Sequence, residues 1–320
     1  MVAVKDIKLN NESIKTPSSN PVAVFVGGTG GIGLSALQAL LKYTSSPTVY
    51  LVGRDPSRLE KQISELKTLN TSATITPIIA NDLTLVREAQ KAADEIASKA
   101  SRVDYLIMSA GFLNFNSAPD YTAEGLDKIT AIRYHARMAF LVKLLPLLRQ
   151  SSAPRVISVL AGGGEGALDL NDLGMTSAKN YNFVAAGGQA ASMTTLFFEQ
   201  TSKQPENKNI VFIHIFPGIV KTQLRIEAGW IATLLYTWIL QYFLMNIIGY
   251  SSEEAGERVL FAATNDRFAK AQPDIGVYLV GGNSDSAAVN KDLKKLREQG
   301  AEAKVYEYTM SDLERIEKSY

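Results

Sequence analysis

The sequence predicts an α/β protein: a doubly wound, mainly parallel sheet of seven strands, with helices on both faces and an apolar helical lid inserted late in the chain. Three observations carry this expectation. From Val22 onward, short β-branched apolar runs bounded by turn residues alternate with longer segments of helical period, the rhythm of repeated βαβ units. Several of these runs are apolar at nearly every position, as strands sandwiched between helix layers must be. The first run leads directly into Gly27-Gly28-Thr29-Gly30-Gly31-Ile32-Gly33 and a helical segment, Leu34 to Lys42.

Taken in order, the strands are expected at Val22 to Gly27, Thr48 to Val52, Ile75 to Ala80, Val103 to Ser109, Arg155 to Leu160, Ile210 to Phe216, and Gly276 to Val280. No Pro-rich linker or shift of composition interrupts them. Residues 1–320 are therefore read as one domain, with a core over 22–283, the lid over 223–252 and a helical tail over 284–320. Ala228 to Ser252 contains no charged residue, and Trp230 to Gly249 is long enough to cross a bilayer. Within and around it stand Thr233, Thr237, Gln241, Asn246, Glu227, Glu253 and Glu254, and the chain then returns to another helix and strand. A packed helix or helix pair covering a substrate is therefore preferred to a membrane contact through 230–249. In the charged tail, Ser311 and Asp312 are expected to start a final short helix lying solvated on the domain edge.

Composition excludes several function classes. With 33 basic and 32 acidic residues the net charge is +1, which gives no electrostatic reason to expect nucleic acid. Hydrophobic residues make up 46%, enough for one large core. The absence of cysteine rules out disulfides and thiolate chemistry, and two histidines, His135 and His214, argue against a metal site or a Ser-His-Asp relay. Redox chemistry would need a borrowed cofactor. Met1 to Pro21 lacks the apolar run of an export signal, so an intracellular, cytoplasmic location is expected.

A strand ending in a glycine-rich turn at a helix N-terminus offers backbone N–H groups and the positive end of a helix dipole, which together hold a pyrophosphate. Here Gly27 permits the tight turn, Gly31 lets the backbone approach the ligand, and Gly33 lets helix and strand pack closely, with Thr29, Gly30 and Ile32 completing the turn. The end of the second strand reads Leu51-Val52-Gly53-Arg54-Asp55. A small Gly53 followed by Arg54 leaves room and supplies a charge-assisted fork for a 2′-phosphate, so the expected cofactor is NADP(H). The competing reading pairs Arg54 with Asp55 or leaves it facing solvent.

The turn spacing Gly27, Gly31, Gly33, then Asn81-Asp82-Leu83, Ser109-Ala110-Gly111 and Pro217-Gly218-Ile219-Val220-Lys221-Thr222, occur in an order that resembles the short-chain dehydrogenase/reductase family over residues 22 to 283. The resemblance implies a Rossmann-like fold, with Asp82 and Leu83 at the adenine and Ser109, Ala110 and Gly111 lining the ribose. It also implies that Pro217, Gly218, Val220 and Thr222 meet the carboxamide and phosphates. Segments such as Arg133-Tyr134-His135-Ala136-Arg137-Met138 and Leu145-Pro146-Leu147-Leu148 are similar to fungal members associated with secondary metabolism. Members of the family often form dimers or tetramers, so a homo-oligomer is a possible assembly.

The family's chemistry uses a tyrosine, a lysine four residues later that lowers the phenol pKa, a serine and an upstream asparagine. None of the 13 tyrosines here has a lysine four residues on. Aligned on the helix ending near Glu199, Ala185 stands for the tyrosine and Gln189 for the lysine; Arg133 stands for the asparagine, and Ala161 for the serine with Ser158 three residues before it. Arg133, Ser158, Tyr181 and Gln189 remain as catalytic candidates. Tyr181 precedes the degenerate helix, and Arg133 or His135 could polarise a carbonyl. Each has a plain packing alternative, and His214 reads as a core-strand histidine.

Three functions stay open. One is an NADP(H)-dependent oxidoreductase acting on an apolar ketone or alcohol, with hydride chemistry residing in the cofactor. Another is an enzyme on the same fold catalysing a non-redox step such as isomerisation, dehydration or cyclisation. The third is a non-catalytic NADP(H)-binding protein.

Overall fold

The structure is a computed structural model that describes residues 1–16, 20–114, 118–176, 181–221, 226–227, 249–269 and 276–320. Thr222 and residues 228–248, the bulk of the expected lid, lie outside the described residues.

The seven expected strands are all present: β1 Val22–Val26, β2 Thr48–Gly53, β3 Thr74–Ile79, β4 Tyr105–Met108, β5 Arg155–Val159, β6 Val211–Ile215 and β7 Tyr278–Val280. They form one parallel sheet in the order β3-β2-β1-β4-β5-β6-β7. Strand residues alternate between two cores. Val24, Val26, Leu106 and Met108 face helices α4 (Val86–Lys99), α5 (Ala136–Leu148) and α6 (Phe183–Ser202). Ala23, Phe25, Leu51 and Ile107 face α1 (Val4–Ser13), α2 (Gly31–Tyr43), α3 (Pro56–Lys67) and α7 (Ser252–Thr264). This two-sided burial is why the strands read as continuous apolar runs. From β1 the chain moves outward to β2 and β3, then returns to β4 on the other side. The resulting crevice, at the C-terminal ends of β1 and β4, is where doubly wound sheets take ligands.

The tail corrects the sequence reading. Ser311 and Asp312 do not start a helix; they lie inside α9 (Ala301–Lys318), which follows α8 (Lys291–Glu298) through Gly300 at φ 64°. Ala301, Val305, Thr309, Leu313 and Ile316 are buried, a stripe at helical spacing. It joins the same core as α4, α5 and α6, so the tail is part of the fold's interior and not a solvated edge.

No helix among the described residues is long and apolar enough to cross a membrane.

Candidate nucleotide and catalytic crevice

The glycine turn is built by close approaches. Gly27 has φ 93°, and a Cβ on it would lie 2.4 Å from the Ala110 nitrogen, so only glycine lets the ends of β1 and β4 meet. A Cβ on Gly33 would lie 2.3 Å from Ser109 Oγ and 2.5 Å from the Gly27 carbonyl oxygen. Gly30 differs. A Cβ there meets nothing within 4 Å, and Gly30 caps α2 without any side chain accepting the helix's first N–H groups. Open space at an uncapped helix start fits a diphosphate.

At the end of β2, Asp55 is committed to capping α3 by accepting from the Arg58 N–H at 3.1 Å. Arg54 is exposed and has no hydrogen-bond or ion-pair partner among the described residues, so the Arg54–Asp55 pairing does not occur. Gly53 is small for another reason than the one expected. Its missing Cβ points at Leu59 of α3, 2.9 Å away, so it makes room for a helix and not for a phosphate. From α3, Gln62 Nε2 donates to the Thr29 carbonyl at 3.1 Å and ties that helix to the glycine turn.

Further landmarks follow the C-terminal ends of other strands, on the same edge of the sheet. Asp82 accepts from the N–H and hydroxyl of Thr84, at 2.9 and 2.8 Å, which fixes the turn beyond β3 above a buried Leu83. Ser109 donates to the Gly27 carbonyl at 3.2 Å. Pro217 and Gly218 (φ 77°) follow β6, and buried Val220 bridges to Tyr250.

Two arginines stand on the β4 and β5 side. A one-turn helix, Lys128–Thr130, and a π-helical turn, Ala131–His135, lead into α5, a distortion often found at functional sites. Arg133 Nη2 donates to the Phe112 carbonyl at 2.7 Å. Arg137, one turn on, donates to Ser158 Oγ (2.7 Å), the Val159 carbonyl (3.0 Å) and the Ala110 carbonyl (2.7 Å). Burial and the neighbouring Arg133 charge hold the Arg137 guanidinium down to about 9. Burial also lowers Arg133, opposed by Tyr181 and Asp127.

The four catalytic candidates are not one constellation. Arg133 and Tyr181 are neighbours, since each contributes to the other's electrostatic environment. Tyr181 is buried and donates to Asp127 Oδ1 at 3.0 Å. Burial and that carboxylate push its phenol well above the usual range, the reverse of what a phenolate needs. Ser158 is fully buried as a brace for Arg137, and Gln189 Nε2 donates to the Leu173 carbonyl at 2.7 Å, strapping the 167–176 loop. Ala185 and Gln189 line a cavity of ≈ 620 Å³ beneath that loop, together with Leu168, Met175 and Lys304. His135 points away from Arg133, with its Nε2 3.6 Å from Asp312 on α9.

Sequence reasoning missed a buried chain under the turn that follows β5. The Ala161 N–H donates to His214 Nε2 at 3.1 Å, and His214 Nδ1 lies 2.8 Å from Thr195 Oγ1, which donates to Glu165 Oε1 at 2.7 Å. Because Nε2 accepts, the ring proton is on Nδ1 and points at Thr195. Burial, aided by Arg137, lowers His214 to about 3. Arg137 was visible in the sequence only as a charge within an apolar helix, and the His214 chain carries no spacing signal.

Fold and crevice are those of a doubly wound α/β protein with a glycine-rich turn at the end of its first strand. The chain belongs to the short chain dehydrogenase family, whose model matches residues 21–229. It is 32% identical to the NmrA-like family domain-containing oxidoreductase notO of an Aspergillus species, over 97% of this chain and 94% of that one. It is 29% identical to the short-chain dehydrogenase/reductase SAT2 of Stachybotrys chartarum, over 94% of each. Among solved structures, the Pseudomonas aeruginosa RhlG/NADP active-site complex superposes with a TM-score of 0.58 at 20% identity, covering 81% of this chain and 94% of that chain. A short-chain dehydrogenase/reductase from Serratia marcescens gives 0.59 at 20% identity, over 84% and 100%. These two likenesses support the fold.

Proposed function

We propose that this protein is an NADP(H)-dependent oxidoreductase acting on an apolar ketone or alcohol, in fungal-type secondary metabolism. The observation that carries the cofactor choice is Arg54, an exposed guanidinium without a partner among the described residues at the end of β2. The open space at Gly30 and the uncapped start of α2 fit a diphosphate, and Arg54 would hold a 2′-phosphate by charge-assisted hydrogen bonds. When bound, the nicotinamide supplies the hydride. The chain's own residues bind and orient. The Ser109–Gly111 turn would line the ribose, and Pro217, Gly218 and Val220 would stand near the carboxamide and phosphates. Val184, Phe216 and Ile219, 76%, 46% and 38% exposed at the start of α6 and beyond β6, would offer apolar surface to the substrate.

The alanines at 161 and 185 and the strapped Gln189 favour a second reading on the same site, a non-redox step in which NADP(H) is structural. Titration of NADPH and NADH into the apo-protein tests the first claim. NADPH is expected to bind more tightly, with the preference lost in Arg54→Asp; equal affinities in the wild type end the 2′-phosphate assignment. Turnover of a candidate ketone without change in nicotinamide absorbance would favour the non-redox reading.

A further inference from the structure

The ≈ 620 Å³ cavity beneath the 167–176 loop has the size of a small-molecule site. That loop follows β5, so the cavity lies on the edge of the sheet where the parallel strands end, as the glycine turn does. Leu168, Leu170, Met175 and Ala185 give it apolar walls. Its shape is held by the Gly166 N–H on the Gly188 carbonyl at 3.2 Å and by the Gln189 bond to Leu173. The tail closes the remaining side. Gln299, immediately after α8, and Lys304, in the first turn of α9, both line the cavity. Both are exposed, and neither side chain has a hydrogen-bond or ion-pair partner among the described residues. Two carboxylates line the cavity as well, and each serves its own loop. Asp169 Oδ1 accepts from the Asn171 N–H at 2.9 Å, and Asp172 Oδ1 accepts from the Thr176 N–H and hydroxyl, both at 2.8 Å. Their charges offset that of Lys304, so the lining has no surplus of positive charge to hold an anion. A cation would meet an ammonium group whose own donors have no acceptor. The partner that the lining calls for is a hydrogen-bond acceptor on an uncharged, apolar body.

We propose that this cavity takes an uncharged apolar substrate, and that Lys304 is a binding residue that donates a hydrogen bond to a carbonyl or hydroxyl oxygen of it. The tail is then a wall of the substrate site and selects for a neutral acceptor over a carboxylate or an amine. This deepens the proposed oxidoreductase reading and rests on it for calling the ligand the substrate. The binding itself does not depend on the nucleotide.

The test is calorimetric titration of the full chain with three probes that share one ring system: acetonaphthone, naphthoate and naphthylmethylamine, each at about pH 7.5, where they are neutral, anionic and cationic. Acetonaphthone is expected to bind at least about threefold more tightly than either charged probe. Lys304→Met keeps the length of the side chain and removes the donor, and is expected to weaken acetonaphthone about fivefold. Ala185→Phe fills the cavity and is expected to weaken acetonaphthone at least about tenfold while changing NADPH affinity less than about threefold. Should Ala185→Phe fail to fold, Ala167→Phe, at an exposed position of the lining, takes its place. The proposal is overturned if acetonaphthone does not bind, if either charged probe binds as tightly, or if acetonaphthone binds Lys304→Met or the cavity-filling variant as it binds the wild type. Failure of NADPH to bind the wild type would instead end the oxidoreductase reading and leave the comparison of probes standing.

Discussion

The backbone N–H of Ala161 meets Nε2 of His214 at 3.1 Å, so the turn that follows β5 is anchored from beneath by the neighbouring strand. The ring passes that link on through Thr195 to the buried carboxylate of Glu165, which also accepts from the Gly163 N–H at 3.2 Å. The turn is thus held at two of its N–H groups, and the neutral state of His214 is a condition of its shape.

This gives a pH dependence with a definite sign. His214 is near 3 in the folded protein and about 6.5 when unfolded. Its contribution is present above about pH 6.5 and is lost as pH falls toward 3, because the unfolded chain takes up a proton that the native ring refuses. The limiting slope for one group is about 1.4 kcal/mol per pH unit. Urea unfolding over this window should show His214→Gln starting less stable but with a shallower pH slope; identical slopes would remove the ring from the account.

Gly30 and Gly33 should separate binding from folding. Gly33→Ala forces a methyl group to 2.3 Å from Ser109 Oγ and should cost about 2 kcal/mol or more in denaturant unfolding. Gly30→Ala places its methyl in open space, should change stability by less than about 1 kcal/mol, and should weaken NADPH about tenfold by occupying the space proposed for the diphosphate. Fluorescence titration beside the unfolding curves reads both.

Tyr181→Phe removes one hydrogen bond from Asp127, which keeps the Asp120 and Thr130 N–H donors at 3.1 Å each. The expected cost is about 1 kcal/mol of stability. NADPH affinity should stay within about twofold, since the phenol faces a carboxylate and not the glycine turn. A larger loss of affinity would place Tyr181 at the nucleotide after all.

Gln189→Met severs the strap to Leu173. The 167–176 loop should then exchange its amide hydrogens faster, and global stability should fall by about 1 kcal/mol. Hydrogen exchange that stays at the wild-type rate would mean the loop is held by other contacts.

How much of this was readable beforehand depends on the range of the interactions. The strands were legible because Val24 and Phe25 are buried on opposite faces, so the apolar run is continuous. The glycine turn was legible because the clash at Gly33 recurs wherever a helix must press on a strand, and one residue type answers it. Gly53 misled because a glycine says that space is needed without saying by whom; Leu59 was the claimant. Ser311 and Asp312 looked like a cap, yet the stripe through Val305, Thr309, Leu313 and Ile316 runs across them, and tertiary burial overrode the local signal. Arg137 and the His214 chain join distant parts of the sequence and leave no local pattern.

The Gly166 N–H reaches the Gly188 carbonyl at 3.2 Å, and a Cβ on Gly166 would come within 3.0 Å of the Gly188 Cα. Loop and helix are joined main chain to main chain, beside the Gln189 strap. The loop that starts at Gly166 cannot shift along α6 without breaking a main-chain bond, so the cavity wall formed by Ala185 and Gln189 is positioned by backbone as well as by a side chain.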